Sequence, residues 1–140
     1  MCSSDLTGFL KDEELLLLQR KSRALLMPLK DVDRDRARFP QKILHYMSLE
    51  KPVVTTNVGE IKEHFKNGVN AFIDETISIS GYAKTISYFI QNEQIAYRVG
   101  ENAAKFVQER FDYIYWTREL KDFIYTICLK QHKNCRRSTS

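Results

Sequence analysis

The sequence predicts an α/β domain: a Rossmann-like parallel sheet with helices on both faces, incomplete at the N-terminus and ending in a run of helices. Three observations carry this reading. Short apolar or β-branched runs at residues 24–28, 52–56 and 71–73 alternate with amphipathic stretches, the pattern that right-handed crossovers turn into a parallel sheet covered on both faces. Beyond Ile73 the apolar spacing is wholly helical. Three strands also fall short of the five or six of a doubly wound sheet, so residues 1–9 are expected to hold the remnant of a preceding strand.

Asp12-Glu13-Glu14 places acids in the first turn ahead of Leu15 to Leu18, which suits the positive end of a helix over about residues 12–21. Ala24-Leu25-Leu26-Met27 is stopped by Pro28 and reads as a buried strand, with Leu26 inside. Residues 30–38 have the composition of a loop. Pro40 then stands where a first helical position is expected, with Ile43, Leu44, Met47 and Leu49 forming the apolar face of a helix that ends near Glu50. Pro52-Val53-Val54-Thr55-Thr56 reads as the second strand, with Val53 and Val54 buried, followed by a tight loop at residues 57–60 and a short helix through Phe65. Asn67-Gly68 marks a turn before the third strand, which buries Phe72. Tyr82, Ala83, Ile86, Phe89 and Ile90 form one helical face, and Ile95, Val99, Ala103, Phe106 and Val107 another. Asp112 is placed to cap a last helix whose Trp116, Leu120, Phe123, Ile124 and Ile127 read as core, as do Tyr113, Tyr115 and Tyr125.

The chain has 140 residues, 43% of them hydrophobic, with only 5 glycines and 3 prolines, which suits one compact domain and excludes disorder and low-complexity scaffolds. Cys2, Cys128 and Cys135 form no CxxC pair, so neither a disulfide framework nor a cysteine zinc site is expected. With no signal-like start and no aliphatic run of membrane length, a cytoplasmic location fits. Lys130, Lys133, Arg136 and Arg137 account for the whole net charge of +4. Residues 1–129 are therefore neutral, and residues 130–140 read as a basic, flexible, solvated tail; a peripheral contact with an anionic membrane surface is its secondary reading, and nucleic acid is not an expected partner.

In open α/β sheets ligands lie beyond the carboxyl ends of the strands, which selects residues 28–39 and 55–60. Both segments lead into helix N-termini, where backbone amides favour an anion such as a diphosphate, and Arg36, Arg38 and Lys42 are close in sequence. Ordinary readings stand beside these: Lys42 as a solvated helix lysine, Gly59 as a turn residue, Glu60 and Glu63 as first-turn acids, His45 as a structural histidine. Neither GxGxxG nor GxxxxGK[ST] occurs. His64 and His132 give no i, i+4 pair for a metal, and no nucleophile arrangement is supported.

The ordered set Ala24 to Pro28, Phe39-Pro40-Gln41-Lys42-Ile43-Leu44-His45-Tyr46-Met47-Ser48 and Lys51 to Ile61, continued by Asn67-Gly68-Val69-Asn70-Ala71-Phe72-Ile73, Gly100-Glu101-Asn102-Ala103 and Glu109-Arg110-Phe111, resembles the C-terminal half of a group 1 glycosyltransferase of the GT-B fold. The resemblance covers about residues 7–127. It implies that residues 1–129 are part of a nucleotide-sugar donor-binding domain, whose N-terminal acceptor-binding partner domain is missing. It also implies transfer with retention from a nucleoside-diphosphate sugar, which is a substrate, with no cofactor or metal. The implied donor-binding residues are Arg38, Phe39, Pro40, Lys42, His45, Thr56, Asn57, Val58, Gly59 and Glu60. Two glutamates with seven residues between them serve the sugar and ribose in this family; their positions here hold Ala37 and His45, and an imidazole cannot accept two hydrogen bonds as a carboxylate does. No catalytic residue is assigned. Two functions follow: the donor half of an enzyme, inactive alone, or a non-catalytic binding or regulatory module of the same fold.

Overall fold

A computed structural model describes residues 6–137, with side chains described through residue 128. The chain divides into two compact units, Met1–Val107 and Gln108–Ser140.

In the first unit β1 (Leu25–Met27), β2 (Val53–Thr56) and β3 (Phe72–Asp74) form a parallel sheet in that order. Leu26 pairs with Val54, and Val54 with Phe72. Alternation along β2 sends successive side chains to opposite faces. Val53 and Ile73 enter a core with Ile43 and Met47 of α3 (Lys42–Ser48), Ile61 of α4 (Ile61–His64), Phe65 and Ala103. Val54 and Phe72 enter the other with Phe89 of α5 (Ile79–Gln91) and with Ala96 and Val99 of α6 (Glu93–Arg110). Helices therefore cover both faces, and Val53, Val54 and Phe72 are buried as the β-branched and apolar runs require.

Leu26 departs from expectation at 50% exposure. β1 lies at the edge of the sheet with β2 on one side only, and α5 packs on β2 and β3, so the face of Leu26 is incompletely covered. No strand occurs in residues 6–9; residues 1–5, the rest of the expected remnant, lie outside the described residues.

The first helix, α1, spans Asp12–Lys21 with its acids in the first turn and Arg20 and Lys21 in the last. The segment expected as a plain loop contains a short helix, α2 (Asp33–Arg36). Alternating charges hide it from a hydrophobicity pattern, but they pair locally: Arg36 bonds Asp31 at 2.6 Å and reaches Asp33 at 3.6 Å. α3 begins at Lys42 rather than Pro40; the Pro40 carbonyl accepts the first bond of its opening turn, from the Ile43 amide at 2.9 Å. Ala83 and Ile90 of the α5 face are exposed, because only Tyr82, Ile86 and Phe89 of that set meet the sheet-side core.

The second unit contains α7 (Tyr113–Arg137). Asp112 caps it, its carboxylate accepting from the Ile114 amide at 2.9 Å. Trp116, Leu120, Phe123, Ile124 and Ile127, expected as core, are all exposed, as are Tyr113, Tyr115 and Tyr125. Among the described residues the unit holds little besides this helix and the end of α6, so they give its apolar stripe no second layer within the unit to pack on. α7 also runs over residues 130–137 of the expected tail, and residues 138–140 lie outside the described residues. Among the described residues no helix is long and apolar enough to cross a membrane.

Candidate functional site

Because β1 and β2 are parallel, the segments that follow them leave the same edge of the sheet. Thr56 ties the two together: its hydroxyl donates to the Leu29 carbonyl at 2.7 Å and accepts from the Leu29 amide at 2.9 Å. That reciprocal pair satisfies both backbone groups of Leu29 where the ladder has ended. A cleft of about 400 Å³ opens beside it, lined by Met27, Pro28, Leu29, Arg38, Phe39, Pro40, Gln41 and Lys42. Four of the expected residues, Arg38, Phe39, Pro40 and Lys42, thus share one cavity.

Their roles differ. Lys42 is exposed and makes no ion pair among the described residues, so its ammonium is available to an anion. Arg38 is shared with Asp35, to which it donates at 2.8 Å. Asp35 is buried and organises the wall: it also accepts from the Lys30 amide at 3.1 Å and from Arg34 at 3.3 Å. The Lys30 amide above all, with both guanidinium groups, holds its carboxyl below the usual carboxylate range. Phe39 stacks edge-on against His64, centroids 5.7 Å apart, and packs on the core beneath, which fixes the backbone leading to Lys42.

The remaining candidates lie outside this cleft. Val58 is 1% exposed and belongs to the core. Asn57 donates to the Glu75 carboxylate. Glu60 reaches His64 at 3.3 Å. Gly59 adopts φ +57°, and a Cβ there would stand 3.0 Å from the carbonyl oxygens of Asp35 and Arg36; it serves both the turn and a close approach to α2. His45 is exposed, and its Nε2 lies 3.0 Å from Gln19 Oε1 of α1.

The helix-end amides expected to cradle an anion are mostly engaged. The Gln41, Ile43 and Leu44 amides bond Phe39, Pro40 and Gln41, and those of Ile61, Lys62 and Glu63 bond Val58, Gly59 and Glu60. Short helices close such bonds within their own first turn, so charge at this cleft comes from Lys42 and Arg38. Asp35 and Gln19 escaped the sequence reading. The i, i+3 spacing of Asp35 and Arg38 was the available signal for the first; the second rests on a contact 26 residues distant in sequence. Among the described residues no cluster suits a metal ion.

The chain has no match among curated proteins. Among solved structures it is similar to the Anabaena protein HepE, crystallised in complex with UDP-glucose, at 22% identity and a TM-score of 0.66 over 78% of this chain. The match spans 29% of the length of that protein. The family model for group 1 glycosyl transferases matches residues 3–106. Parallel strands, helices on both faces and this family match agree, and the chain belongs to the group 1 glycosyl transferases.

Proposed function

We propose that residues 1–129 are part of the nucleotide-sugar donor-binding half of a glycosyltransferase, acting with an N-terminal acceptor-binding domain and transferring the sugar with retention. The observation that carries this is the cleft beyond β1, where Lys42, which makes no ion pair among the described residues, and a partly neutralised Arg38 line one cavity. A diphosphate leaving group needs cationic donors held in place before it departs. Lys42 supplies a mobile point charge; Arg38, oriented by Asp35, supplies a fixed one. HepE, similar in fold, was crystallised in complex with UDP-glucose, which supports a nucleotide sugar as the substrate.

A non-catalytic module of the same fold is the second reading, favoured by Ala37 and His45 at the two carboxylate positions. Ala37 is the C-cap of α2 and has no polar side chain to offer a sugar. His45 bonds Gln19 instead of standing free.

Titration calorimetry with UDP and GDP separates the two. With two cationic side chains and few free amides, the full chain should bind with a dissociation constant on the order of 1 mM, more weakly as salt rises, since the contacts are exposed. Lys42→Ala should lower affinity several-fold and Lys130→Ala should not change it. Equal affinity for Lys42→Ala and the parent removes Lys42 from the site and favours the non-catalytic reading.

A further inference from the structure

A second cavity, of about 360 Å³, lies at the carboxyl ends of all three strands, between Pro28 to Asp31 after β1, Thr56 at the end of β2, and the segment that opens α5. Most of its wall is carbon, from Pro28, Leu29, Ile77, Ile79 and the ring of Tyr82. Its polar side chains are already bonded, with one exception. Thr56 is bound to Leu29, the Tyr82 hydroxyl donates to the Val54 carbonyl at 2.9 Å, Ser78 Oγ accepts from the Gly81 amide at 3.0 Å, and Asp31 accepts from Arg36 at 2.6 Å. The exception is Lys30. Its backbone amide is fixed by the Asp35 carboxylate at 3.1 Å, while the residue is exposed and makes no ion pair among the described residues.

The wall opposite Lys30 is held in a costly form. Ile77 has φ +51°, a left-handed conformation that a β-branched residue adopts only where its surroundings impose it. Asp74 imposes it, accepting from the Thr76 amide and hydroxyl at 3.0 and 2.7 Å and from the Ser78 amide at 3.0 Å. Asp74 is itself 2% exposed, so its carboxylate is closed to a ligand, and Ile79 stands 94% exposed at the rim. An engineered apolar cavity of about 150 Å³ accepts benzene, so this one has room for a phenyl ring with a short alkyl chain.

A ligand gains from each carbon it buries against this wall. Lys30 adds a positive charge with no counter-ion in the cavity, because Arg36 already holds Asp31. An ammonium beside an apolar wall attracts an anion more strongly than one surrounded by water. We propose that this cavity binds a small amphiphilic monoanion, its aryl or short alkyl body against Ile77, Ile79 and Tyr82 and its carboxylate at Lys30. The proposal does not rest on the donor reading: the two cavities share Pro28 and Leu29, but Lys30 lines only this one and Lys42 only the other.

The test is methyl NMR of the full chain titrated with 4-phenylbutyrate, with acetate as the charge alone, 4-phenylbutan-1-ol as the apolar body alone, and UDP in a separate series. Phenylbutyrate should shift the methyl signals of Leu29, Ile77 and Ile79. It should bind at least about tenfold more tightly than acetate, the equivalent of burying about two methylenes, and about threefold more tightly than the alcohol, as one partly exposed ion pair allows. Lys30→Met, at an exposed position, should bring the acid down to the alcohol and leave the affinity for the alcohol unchanged. Acetate binding as tightly as phenylbutyrate, the alcohol binding the parent as tightly as the acid, or Lys30→Met weakening both ligands alike or neither overturns the proposal. So do shifts confined to Ile124 and Ile127 of α7, and so does UDP itself moving Ile77 and Ile79, which assigns the cavity to the donor.

Discussion

Replacing Gly59 by alanine tests the joint that holds the segments after β1 and β2 together. Two costs add. The residue sits at φ +57°, where a Cβ crowds its own carbonyl at about 1–2 kcal/mol. That Cβ would also stand 3.0 Å from the Asp35 and Arg36 carbonyl oxygens and 3.1 Å from Arg36 Cα. These neighbours are backbone and cannot rotate away, so relief requires α2 to shift, at about 1–3 kcal/mol for an overpacked site. Gly59→Ala should therefore lose roughly 2–5 kcal/mol, a large share of the 5–15 kcal/mol or so that stabilises a typical domain. Gly68→Ala is the control. Gly68 has φ +72° with nothing within 4 Å of its Cβ position, so it should lose only the conformational part, about 1–2 kcal/mol. Urea denaturation followed by circular dichroism measures both. Equal losses at the two glycines would refute the contact between the Gly59 turn and α2, and with it the placement of the Asp35 wall.

Acid should weaken the same region. The carboxyls of Asp31, held by Arg36, and Asp35, held by the Lys30 amide, titrate below the ordinary value, as does Asp74, where hydrogen bonds from Thr76 and Ser78 outweigh burial. Folded values below the unfolded ones mean stability that is present above about pH 4 and lost as pH falls through the folded values; the urea midpoint should hold level from neutral pH and drop below that point, and an unchanged midpoint at acid pH contradicts it. Phe72→Ala removes a ring 1% exposed between the sheet and α5 and should cost about 3–5 kcal/mol by the same assay, whereas a loss under about 1 kcal/mol would deny that core.

The strands were legible because burial on both faces demands continuous apolar or β-branched residues, and 53–56 is such a run. Leu26 misled for the same reason: its residue type matches a central strand, while its exposure depends on neighbours that the local sequence does not encode. The stripe of α7 shows this at larger scale, since periodicity reports that a face is apolar and is silent about what covers it. At the cleft, Lys42 and Arg38 were legible as charges close in sequence to a strand end, but their inequality was not. Asp35 is shielded from solvent and takes part of the charge of Arg38, whereas Lys42 makes no ion pair among the described residues. That difference follows from the fold of the eleven residues between β1 and Phe39, whose short helix neither periodicity nor composition marks. A diphosphate arriving at this edge would therefore meet one cation free to move and one already oriented, and the buried Asp35 is what distinguishes them.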